Sequence, residues 1–121
     1  MNSIDVCSKC FNAPCGCAKI PPVIAKLPTA PLDRKALPIC TGVLDYFPDA
    51  LAAVAACSKA GNDQHHPDKP LYWDMSKSTD EADSLVRHLL QRGTLDTDGI
   101  RHTAKVAWRA LALLQREIMG K

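Results

Sequence analysis

The residues best suited to chemistry come first in the chain. The run Cys7-Ser-Lys-Cys10-Phe-Asn-Ala-Pro-Cys15-Gly-Cys17 packs four thiols into eleven residues. Thiolates are soft ligands that hold Zn2+ in a tetrahedron, and a Cys-x2-Cys pair is the usual half-site. Cys7, Cys10, Cys15 and Cys17 are therefore the expected ligands of a structural zinc ion. The Cys-x-Cys pair follows after only four residues, which is short for a zinc ribbon, so a ligand from elsewhere or a metal shared between subunits is a variant of this reading. An unliganded tail and a redox or iron–sulfur role are the others. Cys40 and Cys57 read more simply as small core residues, because free cysteine behaves as a buried hydrophobe.

A second set of groups falls in the C-terminal third. Asp80, Asp83, Ser84, Arg87 and Gln91 recur at steps that bring side chains onto one side of a helix, with His88 at the edge of the apolar stripe. His102, Lys105, Arg109 and Arg116 do the same further on. One helix thus offers acid near its start and the other offers base along much of its length. The plainer reading is a pair of solvated faces laced by ion pairs such as Asp83 with Arg87.

Two amphipathic patterns must position these groups. Ser78 and Thr79 suit a helix cap, and Glu81 stands three residues after Ser78, where a capping box bonds back to the Ser78 amide. The spacing predicts a helix opening at Asp80, with Ala82, Leu85, Val86, Leu89 and Leu90 as its apolar stripe and Gly93 as a left-handed stop. Residues 96–99 read as a turn. Ala104, Ala107, Trp108, Leu111, Leu114 and Ile118 then mark the stripe of a second helix, which makes a helical hairpin. Upstream, Pro48 fits the first turn of another helix, with Asp49 near its positive end and Gly61 as its stop. The polar stretch 62–77 holds His65, His66 and Trp73. A loop of this kind displays ligand contacts on a helical scaffold, and Trp73 equally serves to cover the end of a core. Pro21, Pro22, Pro28, Pro31 and Pro38 argue for an extended arm over the domain or a linker.

A chain of 121 residues is large enough for one core. No run approaches the roughly 20 apolar residues that cross a bilayer, so no membrane partner is expected. The net charge is +2 and the basic residues are scattered among thirteen acids, so a nucleic-acid polymer is not the expected partner either. With no apolar signal segment at the N-terminus, the expected compartment is cytoplasmic and reducing.

The succession of Ser58-Lys59-Ala60-Gly61, Trp73, Asp80-x-x-Asp83-x-x-x-Arg87-His88-Leu89-Leu90 and His102-x-Ala104-Lys105-x-Ala107-Trp108-x-Ala110-Leu111-Ala112-Leu113-Leu114 resembles the small domain, common in phage proteins, labelled as the N-terminal domain of dATP/dGTP diphosphohydrolases. The resemblance spans roughly residues 34–118 and leaves the cysteines outside. It implies nucleotide metabolism in the cytoplasm of an infected host cell. The expected reaction is metal-dependent hydrolysis of purine deoxynucleoside triphosphates to monophosphate and pyrophosphate. Asp49, Asp80 and Asp83 would hold Mg2+ or Mn2+, which bridges phosphate oxygens and activates water. Lys59, Arg87, Lys105 and Arg109 would bind phosphate, Trp73 would stack on a base, and His88 or His102 would orient water or shuttle a proton. Many relatives carry a second histidine where this chain has Lys105.

The resulting expectation is an all-α fold: a small helical bundle built around a C-terminal helical hairpin, with a Cys-rich, Pro-rich N-terminal arm. Residues 1–19 form the zinc knuckle, 20–40 the proline-rich arm and 41–121 a helical nucleotide-binding domain, which pairs as a homodimer to bury its remaining apolar surface. Two other functions fit the same residues. One is a phage protein that binds or sequesters a nucleotide without turnover; the other is a zinc-stapled adaptor for protein partners.

Overall fold

A computed structural model describes residues 26–121. The zinc ligands expected at Cys7, Cys10, Cys15 and Cys17, and the first residues of the proline-rich arm, lie outside them. The described chain forms α1 (Pro31–Lys35), a π-type turn (Cys40–Leu44), α2 (Pro48–His65), α3 (Glu81–Leu90) and α4 (His102–Met119). No strand forms among the described residues, where a lone antiparallel bridge pairs Leu95 with Arg101. The result is the small helical bundle that the apolar repeats imply. Its tightest packing joins α3 to α4, and α2 lies against α4. No single described helix is long and apolar enough to cross a bilayer.

Helix boundaries follow local chemistry with two exceptions. Pro31 and Pro48 open α1 and α2, where a missing amide costs no helical bond. The first exception is Gly61, which does not end α2; the helix runs on to His65. A mid-helix glycine costs about 1 kcal/mol. Buried Asn62 works against that cost by tying the last turn to the following loop: its Nδ2 donates to the Lys69 carbonyl at 3.3 Å, and its Oδ1 accepts from the Tyr72 amide at 3.5 Å. Of the two described cysteines, Cys57 is half-buried, while Cys40 is exposed rather than part of the core.

The second exception is the start of α3. Asp80 is the capping residue, not the first helical one, and it makes no side-chain cap bond. Glu81 does not reach back to Ser78. It is 2% exposed and turns into the seam between α3 and α4, where its Oε2 lies 3.1 Å from Arg116 Nε and its Oε1 lies 3.7 Å from Arg109 Nη1. In a poorly hydrated seam, two cations outweigh the few tenths to about 2 kcal/mol that a helix cap supplies.

The same attraction decides which faces meet. The apolar stripe expected to fill the hairpin leaves Val86 at 51% and Leu90 at 75% exposure. What α3 buries instead is Glu81 and Ser84, and what α4 buries is His102, Ala104 and Ala112. The seam is polar and is filled with small side chains. Among the described residues the buried apolar side chains are only Ala104 and Ala112. Arg109 also donates to Ser78 Oγ at 2.6 Å, and Arg116 Nη2 donates to the carbonyls of Met75 and Ser78, so the cations that bind Glu81 tie down the loop before α3 as well.

Candidate metal centre

The other end of the seam brings two histidines together. His88 sits in the last turn of α3 and His102 is the first residue of α4. The link between them, residues 91–101, reverses the chain with Gly93 and Gly99 at positive φ, and closes where the Asp96 amide donates to the Ile100 carbonyl at 2.8 Å and the His102 amide donates to the Thr94 carbonyl at 3.1 Å. This folding back places His88 Nδ1 2.9 Å from His102 Nδ1, with His102 only 4% exposed. Asp96, in the link itself, completes a cluster: one donor atom from each of His88, Asp96 and His102 lies within 4.8 Å of the others.

That geometry limits the protons the centre can hold. Two facing Nδ1 atoms at this distance attract only when one carries hydrogen and the other offers a lone pair. A cation in place of that hydrogen would meet two lone pairs and a carboxylate. The electrostatic setting also favours neutral imidazole. His88 is held below its ordinary value of 6.5, chiefly by burial and then by the nearby Lys105 charge. Lys105 Nζ donates to Asp96 Oδ2 at 2.6 Å and to Asp98 Oδ2 at 2.8 Å. The Lys105 bond to Asp96, with one from the Thr97 amide, holds the Asp96 carboxyl at about 2, below its ordinary 3.8. Cys57 of α2 stands near enough to feel Lys105 and Asp98, and burial pushes its thiol up.

The shifts set a pH dependence. For His88 the folded pKa lies below the unfolded one, so the unfolded chain takes the proton first as pH falls. Stability is full above 6.5 and declines as pH drops through that value toward the lower folded pKa. Asp96 adds a second decline between 3.8 and about 2, where the unfolded carboxylate protonates before the folded one. Thermal melts of the metal-free protein between pH 8 and pH 5 are expected to show a falling midpoint below neutrality, and His88→Ala is expected to flatten that part of the curve.

The remaining residues singled out from the sequence fall elsewhere. Asp80 accepts from Arg87 Nη2 at 2.9 Å, so Arg87 pairs with Asp80 rather than with Asp83. Asp80 and Asp83 line an open cleft of about 540 Å3 together with Arg116 and Lys121. Eight residues of helical rise, about 12 Å, separate Asp80 from His88, so one ion cannot touch both. Lys59 pairs with Asp63 on the exposed side of α2, and Asp49 stands exposed in the first turn of that helix. Trp73 packs edge-on against Trp108 at 5.8 Å between centroids, with the Arg116 guanidinium over its ring. Arg109 is engaged by Ser78 and Glu81. His88, His102 and Lys105 are thus brought together, while Asp49, Asp80, Asp83, Lys59, Trp73, Arg87 and Arg109 are not part of that centre.

Asp96 is the participant that sequence reasoning passed over, because an acid among turn residues is ordinary. The available signal was its position midway between two histidines at facing helix ends. No protein-family model matches this chain, and neither a curated protein nor a solved structure matches it.

Proposed function

We propose that this domain is a non-catalytic metal-binding module that takes a divalent transition-metal ion at the closed end of the α3–α4 hairpin. The observation that carries the reading is the convergence of donor atoms from His88, Asp96 and His102 within 4.8 Å. Two imidazoles and one carboxylate suit zinc, nickel, cobalt or iron, whereas Mg2+ favours all-oxygen surroundings. Three protein donors leave coordination positions open, and an anionic ligand such as a nucleotide phosphate would bind there intact. Turnover is disfavoured because His88, Asp96 and His102 would all be ligands and the adjacent Asp98 is held by Lys105, which leaves no unengaged carboxylate or imidazole as general base.

A second reading keeps the hydrolase chemistry implied by the family resemblance and moves it to the cleft at the start of α3. It is favoured by the grouping of Asp80, Asp83, Arg116 and Lys121 around one opening, where carboxylates would hold Mg2+ or Mn2+ and the cations would face phosphates. Arg116 is already committed to Glu81, which weighs against it.

One experiment separates the two. The full chain is titrated with Co2+ and then incubated with purine deoxynucleoside triphosphates and Mg2+ or Mn2+, with products resolved by mass. The metal-binding reading expects a Co2+ spectrum of nitrogen and oxygen ligation that disappears in His88→Ala, and intact nucleotide throughout. Release of pyrophosphate, lost in Asp83→Ala and retained in His88→Ala, would establish the hydrolase instead.

A further inference from the structure

Lys105 lies one turn beyond His102 on the same side of α4, and its side chain is 18% exposed. Its ammonium is shared between Asp96 Oδ2 at 2.6 Å and Asp98 Oδ2 at 2.8 Å. Asp96 is therefore claimed twice: by Lys105, and by whatever cation His88 and His102 would hold. Asp98 has Lys105 as its one cation, with its other oxygen accepting from the Ile100 amide at 3.0 Å, and it is not a member of the donor cluster. With neutral imidazoles the group carries two negative charges and one positive. A divalent ion added to it leaves an excess positive charge beside the metal, whereas without Lys105 the complex would be neutral.

We propose that Lys105 is a built-in competitor for the metal: its ammonium holds the Asp96 carboxylate in the metal-free hairpin and shifts onto Asp98 when an ion coordinates. This rests on the metal-binding reading of the same centre. The geometry gives Lys105 two effects of opposite sign. It ties residues 96 and 98 of the link to α4, so it stabilises the metal-free fold. It also opposes the incoming dication by repulsion and by occupying its carboxylate, so it weakens metal affinity. Like charges of one and two units at about 5 Å correspond to about a tenfold change in affinity even when screened as in bulk water. Asp98 acts as the resting place that makes the exchange less costly, because a lysine without a second carboxylate would lose its only ion pair on leaving Asp96.

The test uses the full chain and Ni2+, with the titration of His88→Ala subtracted so that binding by thiolates elsewhere is not counted. Lys105→Gln is expected to melt at a lower temperature than wild type without metal, to bind Ni2+ about tenfold more tightly, and to gain more in melting temperature when Ni2+ is added. Lys105→Arg keeps the charge and is expected to stay near the wild-type affinity. Asp98→Asn, which leaves Lys105 with Asp96 alone, is expected to bind Ni2+ more weakly. A lysine that only braces the fold predicts the reverse for Lys105→Gln, with stability and affinity falling together. That result, or unchanged affinity in Lys105→Gln while wild type binds through His88, overturns the proposal. If Lys105→Gln does not fold, unchanged or tighter binding by Asp98→Asn overturns it. Absence of any His88-dependent Ni2+ binding in both wild type and Lys105→Gln removes the metal reading itself, and the competitor with it.

Discussion

Glu81→Ala is expected to cost about 3–5 kcal/mol of folding stability, the loss typical of removing one member of a buried ion pair. Glu81 is 2% exposed, and its carboxylate faces Arg116 at 3.1 Å and Arg109 at 3.7 Å. Neither Glu81 Oε1 nor Arg116 Nε has a hydrogen-bond partner among the described residues, so the arrangement rests on charge more than on aligned hydrogen bonds. Removing the carboxylate leaves two guanidinium groups side by side in the seam. It also loosens Ser78 and Met75, which the same arginines hold. Urea unfolding followed by helical circular dichroism measures the loss. The comparison is Asp80→Ala one residue earlier: the Asp80–Arg87 pair has side chains 50% and 62% exposed, and solvent screens a pair of that kind, so its loss is expected to be far smaller. Equal losses for the two variants would mean that water reaches the seam and screens Glu81 as it does Asp80.

His102→Ala is expected to lower metal affinity by at least about 100-fold, since even supporting residues around a metal commonly change affinity 10- to 100-fold. Three donors are the minimum for a firm site, and the loss of one leaves His88 and an Asp96 that Lys105 already holds. Calorimetric titration with Ni2+ gives the affinities directly. Asp83→Ala serves as the control, because Asp83 lines the cleft at the far end of α3. Retained binding in His102→Ala with lost binding in Asp83→Ala would move the metal from the imidazole centre to the carboxylate cleft.

The hairpin, its turn and both histidines were legible because each depends on neighbours in sequence. Helical spacing marks α3 and α4, Gly93 takes the left-handed conformation expected of it, and His102 begins its helix. Periodicity tells which residues share a face, but it does not tell which face turns inward. Val86 and Leu90 lie on the apolar side of α3 and stay exposed, since the inward side is chosen by arginines far along the chain: Arg116 reaches back 41 positions to Met75. Glu81 has the position of a capping-box residue and is drawn away from it by those charges. Asp96 illustrates the same limit on a smaller scale. An aspartate is at home in a turn, and only the closure of the hairpin shows that its carboxylate also faces two imidazoles. Trp108 was readable as part of the α4 stripe and Trp73 as a cover for the end of the core or a stacking surface for a base, but that the two would meet depended on how the loop before α3 is tied down.

The polar seam has a calorimetric consequence. Heat-capacity change on unfolding grows with the apolar surface that becomes hydrated and is reduced by polar surface. Among the described residues only two alanines are fully buried apolar side chains, with Trp73, Leu85, Trp108, Leu113 and Ile118 half-buried, so this domain exposes less new hydrocarbon on opening than one with a filled apolar core. Its stability therefore varies weakly with temperature: the curve is broad and shallow, and unfolding on heating spreads over a wide interval.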